Sequence, residues 1–583
     1  MLILKKMGNV MRIIDYYNYF AAAIYFFVCA AALFLDLSGK GKIEEKKSFV
    51  GNRANWIIFS IILVISAFLR LYKLGEVPLG FQQDEASIGY DAYTLANYGI
   101  DRNGYAWPVY PITWGCGGGS PLLIYLNVIS IKLFGTGIVK LRLIPALLGI
   151  LTVLIFYFSL RIIFEKKSYI NEASLLGMAF LAVCPWHIIL SRWSLDSNIM
   201  PFNLMLSIYL FLLGAKKKST VLFCFSAASF SVCMYSYGAA TIVVPVFLLL
   251  ICAYCLWKKI LTVKQLVLSM IAFMVIFTPL LWFYAVNYLG VPEFISPYFC
   301  VNKMTAARTG EAFISFNSSF FRVAAGNIFL MIKAVTVGDD SFTLVHYYPG
   351  YASLYAFTFP VTFCGVVISL KELLKKNSDE EKIYVLGNAI FVLLTVACMV
   401  LSVVIIPDIS RLVMVFIPFI YFFIKGQIFV LKQSYKLILI LIALILLAAF
   451  SFNRDYFSDY NSYANSIFMP GYGDAISRAY EIAGDDKIIY STYDGLSSPF
   501  MLALYYNEYD PNKFFTTVIY KDDKAEFRVA KSFGNFVFEL PKDLNSEEYA
   551  NSVFVLSSGD LSNLLHAEQY TVEGFGAYWV VYK

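Results

Sequence analysis

Charge and histidine are scarce in this sequence. Of 583 residues only 15% are Asp, Glu, Lys or Arg, three are His, and 59% are hydrophobic. A water-soluble chain carries about a quarter charged residues, so the apolar excess must face lipid. Most of the ten cysteines lie inside apolar runs, where a thiol behaves as a small hydrophobe. Only Cys116 and Cys300 fall in expected loops, which argues against a disulfide framework. No HExxH, DxD or His/Cys cluster supports a metal, so a divalent cation has no motif behind it and the cofactor is unknown. No Walker loop, GxSxG or dinucleotide fingerprint occurs, and no nucleic-acid partner is expected. No cleavable signal peptide is read, because the first apolar run, 16–35, has full span length and no small-residue cleavage site follows.

What is present is long apolar runs. About 20 apolar residues cross a bilayer as a helix. Twelve spans are expected: 16–35, 54–72, 138–162, 173–191, 199–214, 219–234, 239–257, 264–285, 351–370, 383–406, 412–431 and 436–452. Lys425 interrupts the eleventh, which makes it the weakest. Alternate loops are short and lysine-rich: "GKGKIEEKKSFVGNR", "EKKSY", "AKKKS", "WKKILTVK", "LKELLKKNSDEEK" and "VLKQSYK". The positive-inside rule places these six in the cytoplasm. The opposite loops, with the long segments 73–137 and 286–350 and the tail, then lie outside.

The long segments carry helical patterns. "DEASIGYDAYTLANYG" and "SPLLIYLNVISIKLFG" read as helices lying along the membrane surface, and "EAFISFNSSFFRVAAGNIFLMIKAV" as a third. "GCGGGS" between the first two is a hinge or a close-approach loop. The tail alternates short strand patterns with two helices and reads as a soluble α/β domain. The expected fold is therefore an α-helical polytopic membrane protein with surface-lying loop helices and a C-terminal soluble α/β domain. Its parts are an extra span and cytoplasmic loop, 1–53, a membrane catalytic domain, 54–452, and an independent extracytoplasmic domain, 453–583.

Asp84 and Glu85 stand side by side just past a membrane exit. They are either helix-capping acids or, partly desolvated, a general base with an orienting neighbour. Arg142, Arg192 and Arg411 sit at outer span ends. They snorkel to headgroups or converge on a phosphate. Arg192 and Asp196, four apart, also suit a pair. His346 is a packing residue or a ligand contact in an outer cavity. Tyr235 and Tyr237 are interfacial anchors or line a sugar site.

"DEASIGYDAYTLANYGIDRNGYAWPVY", "SPLLIYLNVISIKLFG" and "LRLIPALLGI" together resemble the first outer loop of glycosyltransferase family 39-like membrane proteins. That group includes protein O-mannosyltransferases and aminoarabinose transferases. "CPWHIILSRWSLDSNIMPF" and "VHYYPGYASLY" resemble two later outer loops, and the likeness covers roughly residues 54 to 452. The resemblance implies a GT-C fold of about 12 spans in the plasma membrane. It also implies a polyprenyl-phosphate sugar donor and inverting transfer to a protein, lipid or cell-envelope glycan acceptor on the outer face. It assigns the base to Asp84, with Glu85 beside it, and the donor phosphate to Arg411 and, less closely, Arg192 and Arg142. Where aminoarabinose transferases carry Lys-Pro-Pro this chain has Ser120–Pro121, which argues against a lipid A acceptor. A tryptophan-tryptophan-aspartate motif is absent, which argues against transfer of a whole glycan to Asn.

A lipid or glycan transporter, or flippase, is the rival from another class. It calls for repeats and midplane charges, whereas the charges here cluster at the outer boundary. The topology has a direct test. Cysteines introduced at position 47 and position 545 are expected to react with an impermeant thiol reagent from opposite sides of the membrane. Reaction from one side would break the alternation of loops.

Overall fold

Ten of the twelve expected spans fold as helices long and apolar enough to cross a bilayer. They are seen in a computed structural model that describes residues 13–38, 48–306, 318–338, 346–375, 381–565 and 567–583. Most of the lysine-rich loop at 39–53 and the start of the expected surface helix from 311 lie outside the described residues. The rest of that surface element is the helix Phe320–Thr336.

The other two expected spans are shorter. At 173–191 the chain forms a helix Ile170–Val183, a break at Cys184, and a single further turn, Pro185–Leu190. Pro185 has no N–H to continue the ladder. Arg70 of the helix Asn52–Leu71 reaches into the gap and donates to the freed carbonyls of Leu181 and Ala182 and to Ser66. At 219–234 the helix Thr220–Cys233 has 14 residues, about 21 Å at 1.5 Å per residue. It is closed by the turn at "MYSYGA".

Lys425 does not weaken the eleventh span. The helix Phe416–Gln433 buries it against Glu372 of the helix Phe359–Leu374 at 2.5 Å, with Asn388 donating to the same carboxylate. The two helices meet at glycines: a Cβ on Gly365 would lie 1.7 Å from the carbonyl of Phe422, and one on Gly426 2.0 Å from that of Val361. Small residues let membrane helices touch backbone to backbone. Lys425 is buried while Glu372 keeps 25% exposure, and the pair reads as a brace between the two helices.

The loops segregate as the lysine pattern requires. Lys167 pairs with Glu381, Lys216 with Glu165, and Glu172 accepts from Ser48 and the Val50 N–H, joining four lysine-side segments. The loop helices and the tail gather at the other end.

There the expected boundary at 453 fails. The last span continues as one helix, Tyr435–Phe468. Beyond 452 it keeps an inner stripe of Tyr456, Tyr460, Ala464 and Phe468, every fourth residue buried, so nothing ends it. The sheet follows. Its strands are β3 (Ile489–Ser491), β4 (Ile519–Tyr520), β5 (Ala530–Phe533), β6 (Phe536–Val537), β7 (Val553–Ser557), β8 (Thr571–Phe575) and β9 (Tyr578–Tyr582). A two-residue hairpin, β1 (Phe294–Ile295) and β2 (Cys300–Val301), lies upstream. The order is β4-β5-β6-β3-β7-β9-β8, with β3 parallel to both β6 and β7 and the other pairs antiparallel. β8, with Gly574 and an exposed face, has no strand pattern in the sequence.

Nor is the tail an independent body. The helix Phe500–Tyr506 packs against the loop helix Gln83–Tyr98, and one core holds Phe81, Ile88, Tyr90 and Leu95 together with Ile476, Phe500, Leu502 and Phe533. Tyr90 donates to the Tyr509 carbonyl at 2.9 Å, and the Gly137 N–H donates to the Tyr505 hydroxyl at 2.9 Å. An amphipathic pattern reveals an apolar face but not its partner. A fragment of residues 470–583 would expose this face, and it is expected to aggregate or to lack fixed tertiary structure by near-ultraviolet circular dichroism. A monodisperse fragment with native-like spectra would restore its independence.

Candidate active site

The loop helix Gln83–Tyr98 opens on its two acids. Gln82 caps it, its side chain accepting from the Asp84 N–H at 2.5 Å while Glu85 accepts from the Gln82 N–H at 3.3 Å. Acidic groups in a first turn also suit the helix dipole. Beyond that shared role the two residues part, because neighbours on a helix point in different directions.

Glu85 is fully buried. Arg142 grips it with Nε and Nη2 at 2.9 and 2.8 Å, and the Ser194 N–H donates to it at 2.7 Å. Arg142 spends its remaining donors on the carbonyls of Leu74, Pro78 and Gly80. Arg192 is committed too, donating to the carbonyls of Leu69, Tyr72, Lys73 and Val77 beneath the Phe457 ring. It does not pair with Asp196. Neither arginine lines a cavity beside Asp84, which corrects their reading as phosphate ligands. A guanidinium at the end of a span finds loop carbonyls as readily as headgroups.

Asp84 lines a cavity of 220 Å³ with Ser87, Thr113, Asp196, Tyr237, Ser410 and Phe527 among its walls. Burial pushes its carboxyl up to about 6, against the hydrogen bond from Gln82 and with a smaller push from Glu85. Asp196 faces the same space, held by the Ser120 hydroxyl at 3.0 Å and the Ser197 N–H at 2.8 Å. Thr113 is fixed by Asp91 at 3.2 Å, and Arg102 clamps Asp91 at 2.7 and 2.9 Å and holds Ser87 as well. Phe527 comes from the tail, so the sheet domain supplies part of the wall.

A second cavity of 510 Å³ adjoins the first, and Cys116, Gly118, Asp196 and Tyr237 line both. Its other walls, largely from the helices Ala240–Trp257 and Val263–Tyr288, mix apolar side chains with Thr241, Tyr284 and Tyr288, and Arg411 stands at one side. The "GCGGGS" loop is the partition. Gly118 has φ +153°, and a Cβ there would lie 2.3 Å from that of Thr113. Arg411 is bound to Asp408 at 3.0 Å and to the Ile406 carbonyl at 2.7 Å. Its side chain keeps 24% exposure, against none for Arg142.

The structure thus brings together Asp84, Tyr237 and Arg411, and adds Asp196, whose sequence signal was its place in "SRWSLDSN". Glu85 supports from behind. His346 is elsewhere, buried with its ring 5.3 Å from that of Trp193. Tyr235 braces a helix: its hydroxyl donates to the Ile276 carbonyl and accepts from the Leu280 N–H at the break made by Pro279. Among the described residues no group of three His, Cys, Asp or Glu side chains is arranged to hold a metal.

Residues 119–283 match the family described as dolichyl-phosphate-mannose-protein mannosyltransferase. No match is found among curated protein sequences. Solved structures of similar shape include the Archaeoglobus fulgidus oligosaccharyltransferase, at 14% identity and TM-score 0.49, covering 79% of this chain and 64% of that one. The chain therefore spans less than two thirds of that relative's length. ArnT from Cupriavidus metallidurans bound to undecaprenyl phosphate has 14% identity and TM-score 0.42, covering 90% of this chain and 97% of that one. The protein O-mannosyltransferase complex of S. cerevisiae bound to its sugar donor has 18% identity and TM-score 0.31, over 42% and 34%.

The Arg142–Glu85 pair has a structural test. Removing one partner of a buried pair costs about 3–5 kcal/mol, so Arg142→Ala is expected to lower the thermal midpoint of the detergent-purified protein sharply. Arg411→Ala is expected to change it little. A wild-type midpoint for Arg142→Ala would mean that the loop is held by other contacts.

Proposed function

We propose that this chain is a membrane glycosyltransferase that moves one sugar from a polyprenyl-phosphate donor to an acceptor hydroxyl, with Asp84 as the general base. The carrying observation is the position of Asp84 in a small polar cavity that runs into a larger one bearing Arg411. The family match over 119–283 supports the class, since that stretch includes Asp196, Tyr237 and about half of the lining of the larger cavity.

In this reading the polyprenyl chain lies along the apolar side chains of the larger cavity, with its phosphate at Arg411 and its sugar toward Asp196 and Tyr237. Asp84 takes the proton of the acceptor hydroxyl as its oxygen forms a bond to the anomeric carbon. The bond from that carbon to the phosphate oxygen breaks on the opposite face, so configuration inverts. The electron pair leaves with the lipid phosphate. A guanidinium neutralises that charge where it develops, and Arg411 keeps N–H donors beyond those bound to Asp408 and Ile406. Glu85 keeps the helix end and the Ser194 loop in place and takes no proton. The acceptor is a hydroxyl of a protein, lipid or envelope glycan, and the site opens on the outer face of the plasma membrane.

General-base catalysis contributes roughly 10²–10⁴-fold. Asp84→Asn is expected to cut turnover of a polyprenyl-phosphate sugar by about that much while donor binding stays close to wild type. The base works ionised, so kcat/KM should rise with pH through about 6. Near-normal turnover in Asp84→Asn, or a rate flat across that range, would remove Asp84 from the chemistry.

A further inference from the structure

A larger cleft than the one beside Asp84, of 920 Å³, lies between the tail and the membrane helices. Its floor is Gly75, Leu79 and Gly80, just past the helix Asn52–Leu71, and Ile138, the first residue of the helix Ile138–Ile163. Its roof is Asp494 and Gly495 after β3, Ser557 to Gly559 at the end of β7, and the β8–β9 turn. β3 lies between β6, its next parallel partner in sequence, and β7 on its other side. The carboxyl ends of such neighbours form the crevice where open α/β sheets hold ligands. The Arg142–Glu85 clamp divides this cavity from Asp84, for Gly80 lines it while the Gly80 carbonyl accepts from Arg142.

The lining has a definite chemistry. Its charged side chains, Asp474 and Asp494, are both negative, and no Lys or Arg is among them. Asn465, Ser466 and Tyr506 also line it, and Asp494 accepts from the Ser557 hydroxyl at 3.2 Å. Phe575 and Tyr578 add ring surface. Carboxylates without a cation repel phosphates and uronates. Acceptors, hydroxyls and rings together suit a neutral polyhydroxylated ligand.

We infer that this cleft binds a neutral saccharide chain at the membrane boundary. That the saccharide is the acceptor rests on the transferase reading above; that the cleft binds one does not.

The test uses the full chain in lipid nanodiscs without donor. Linear tetrasaccharides of glucose, mannose and N-acetylglucosamine, and a uronate tetrasaccharide, are titrated by calorimetry. At least one neutral sugar is expected to bind, and the uronate at least tenfold more weakly. Losing two hydrogen-bond acceptors of about 0.5–1.5 kcal/mol each should weaken the neutral sugar about tenfold in the double variant Asp474→Asn, Asp494→Asn. It should also narrow the gap to the uronate. Tyr506→Phe should weaken binding; all variants are first matched to wild type by thermal midpoint. The inference falls if no neutral sugar binds, if the uronate binds as tightly, or if the double variant binds like wild type. Donor turnover without sugar binding would sink this inference alone. Sugar binding without any donor use would sink the transferase reading alone.

Discussion

One guanidinium holds the candidate site together. Arg142 ties Glu85 and the carbonyls of Leu74, Pro78 and Gly80 to the start of the third span, and Glu85 in turn holds the N–H of Ser194. Three loops distant in sequence are thereby fixed to one another. Asp84 is adjacent to Glu85 in the first, and Asp196 lies two residues beyond Ser194 in the third. Their meeting in one cavity follows from a buried pair that lines neither of the cavities beside Asp84. Such a pair gains little net stability, because burying both charges is costly. What it supplies is position, which a reaction between two bound molecules needs most.

Much of this was legible in the sequence, and the parts that were not share a cause. Hydropathy and lysine placement gave the spans and the two ends of the bundle. The acids at its start, Asp84 and Glu85, and the apolar spacing from Ile88 to Leu95 gave the loop helix. What stayed hidden was which polar group meets which. Arg142 and Arg192 look like Arg411 in sequence, since each ends a span. Only the folded loops reveal that two are saturated with carbonyls while the third keeps donors. Lys425 looked like a flaw in a span because its partner, Glu372, lies 53 residues away. Asp196 seemed to belong to Arg192, which is near in sequence but committed to other groups.

The tail raised the same difficulty at larger scale. Its strands and helices were readable singly, except β8. Its dependence on the loop helix was not, because the apolar face of Phe500–Tyr506 finds its partner some 400 residues upstream. With Phe527 in the wall beside Asp84, the sheet domain becomes part of the site as well as a cover for it.

That shared core also has a consequence in time. A ribosome reaches Phe500 about 400 residues after it has made Tyr98, which at roughly 5–20 residues per second is on the order of 20–80 s. Through that interval the membrane helices emerge and insert while the face of the loop helix has nothing to pack on. A nascent chain is therefore without a finished wall beside Asp84 until almost its last residues are made. Chains that end before Phe500 leave that face without its partner. Quality control at the membrane would distinguish complete from incomplete molecules by that single uncovered face.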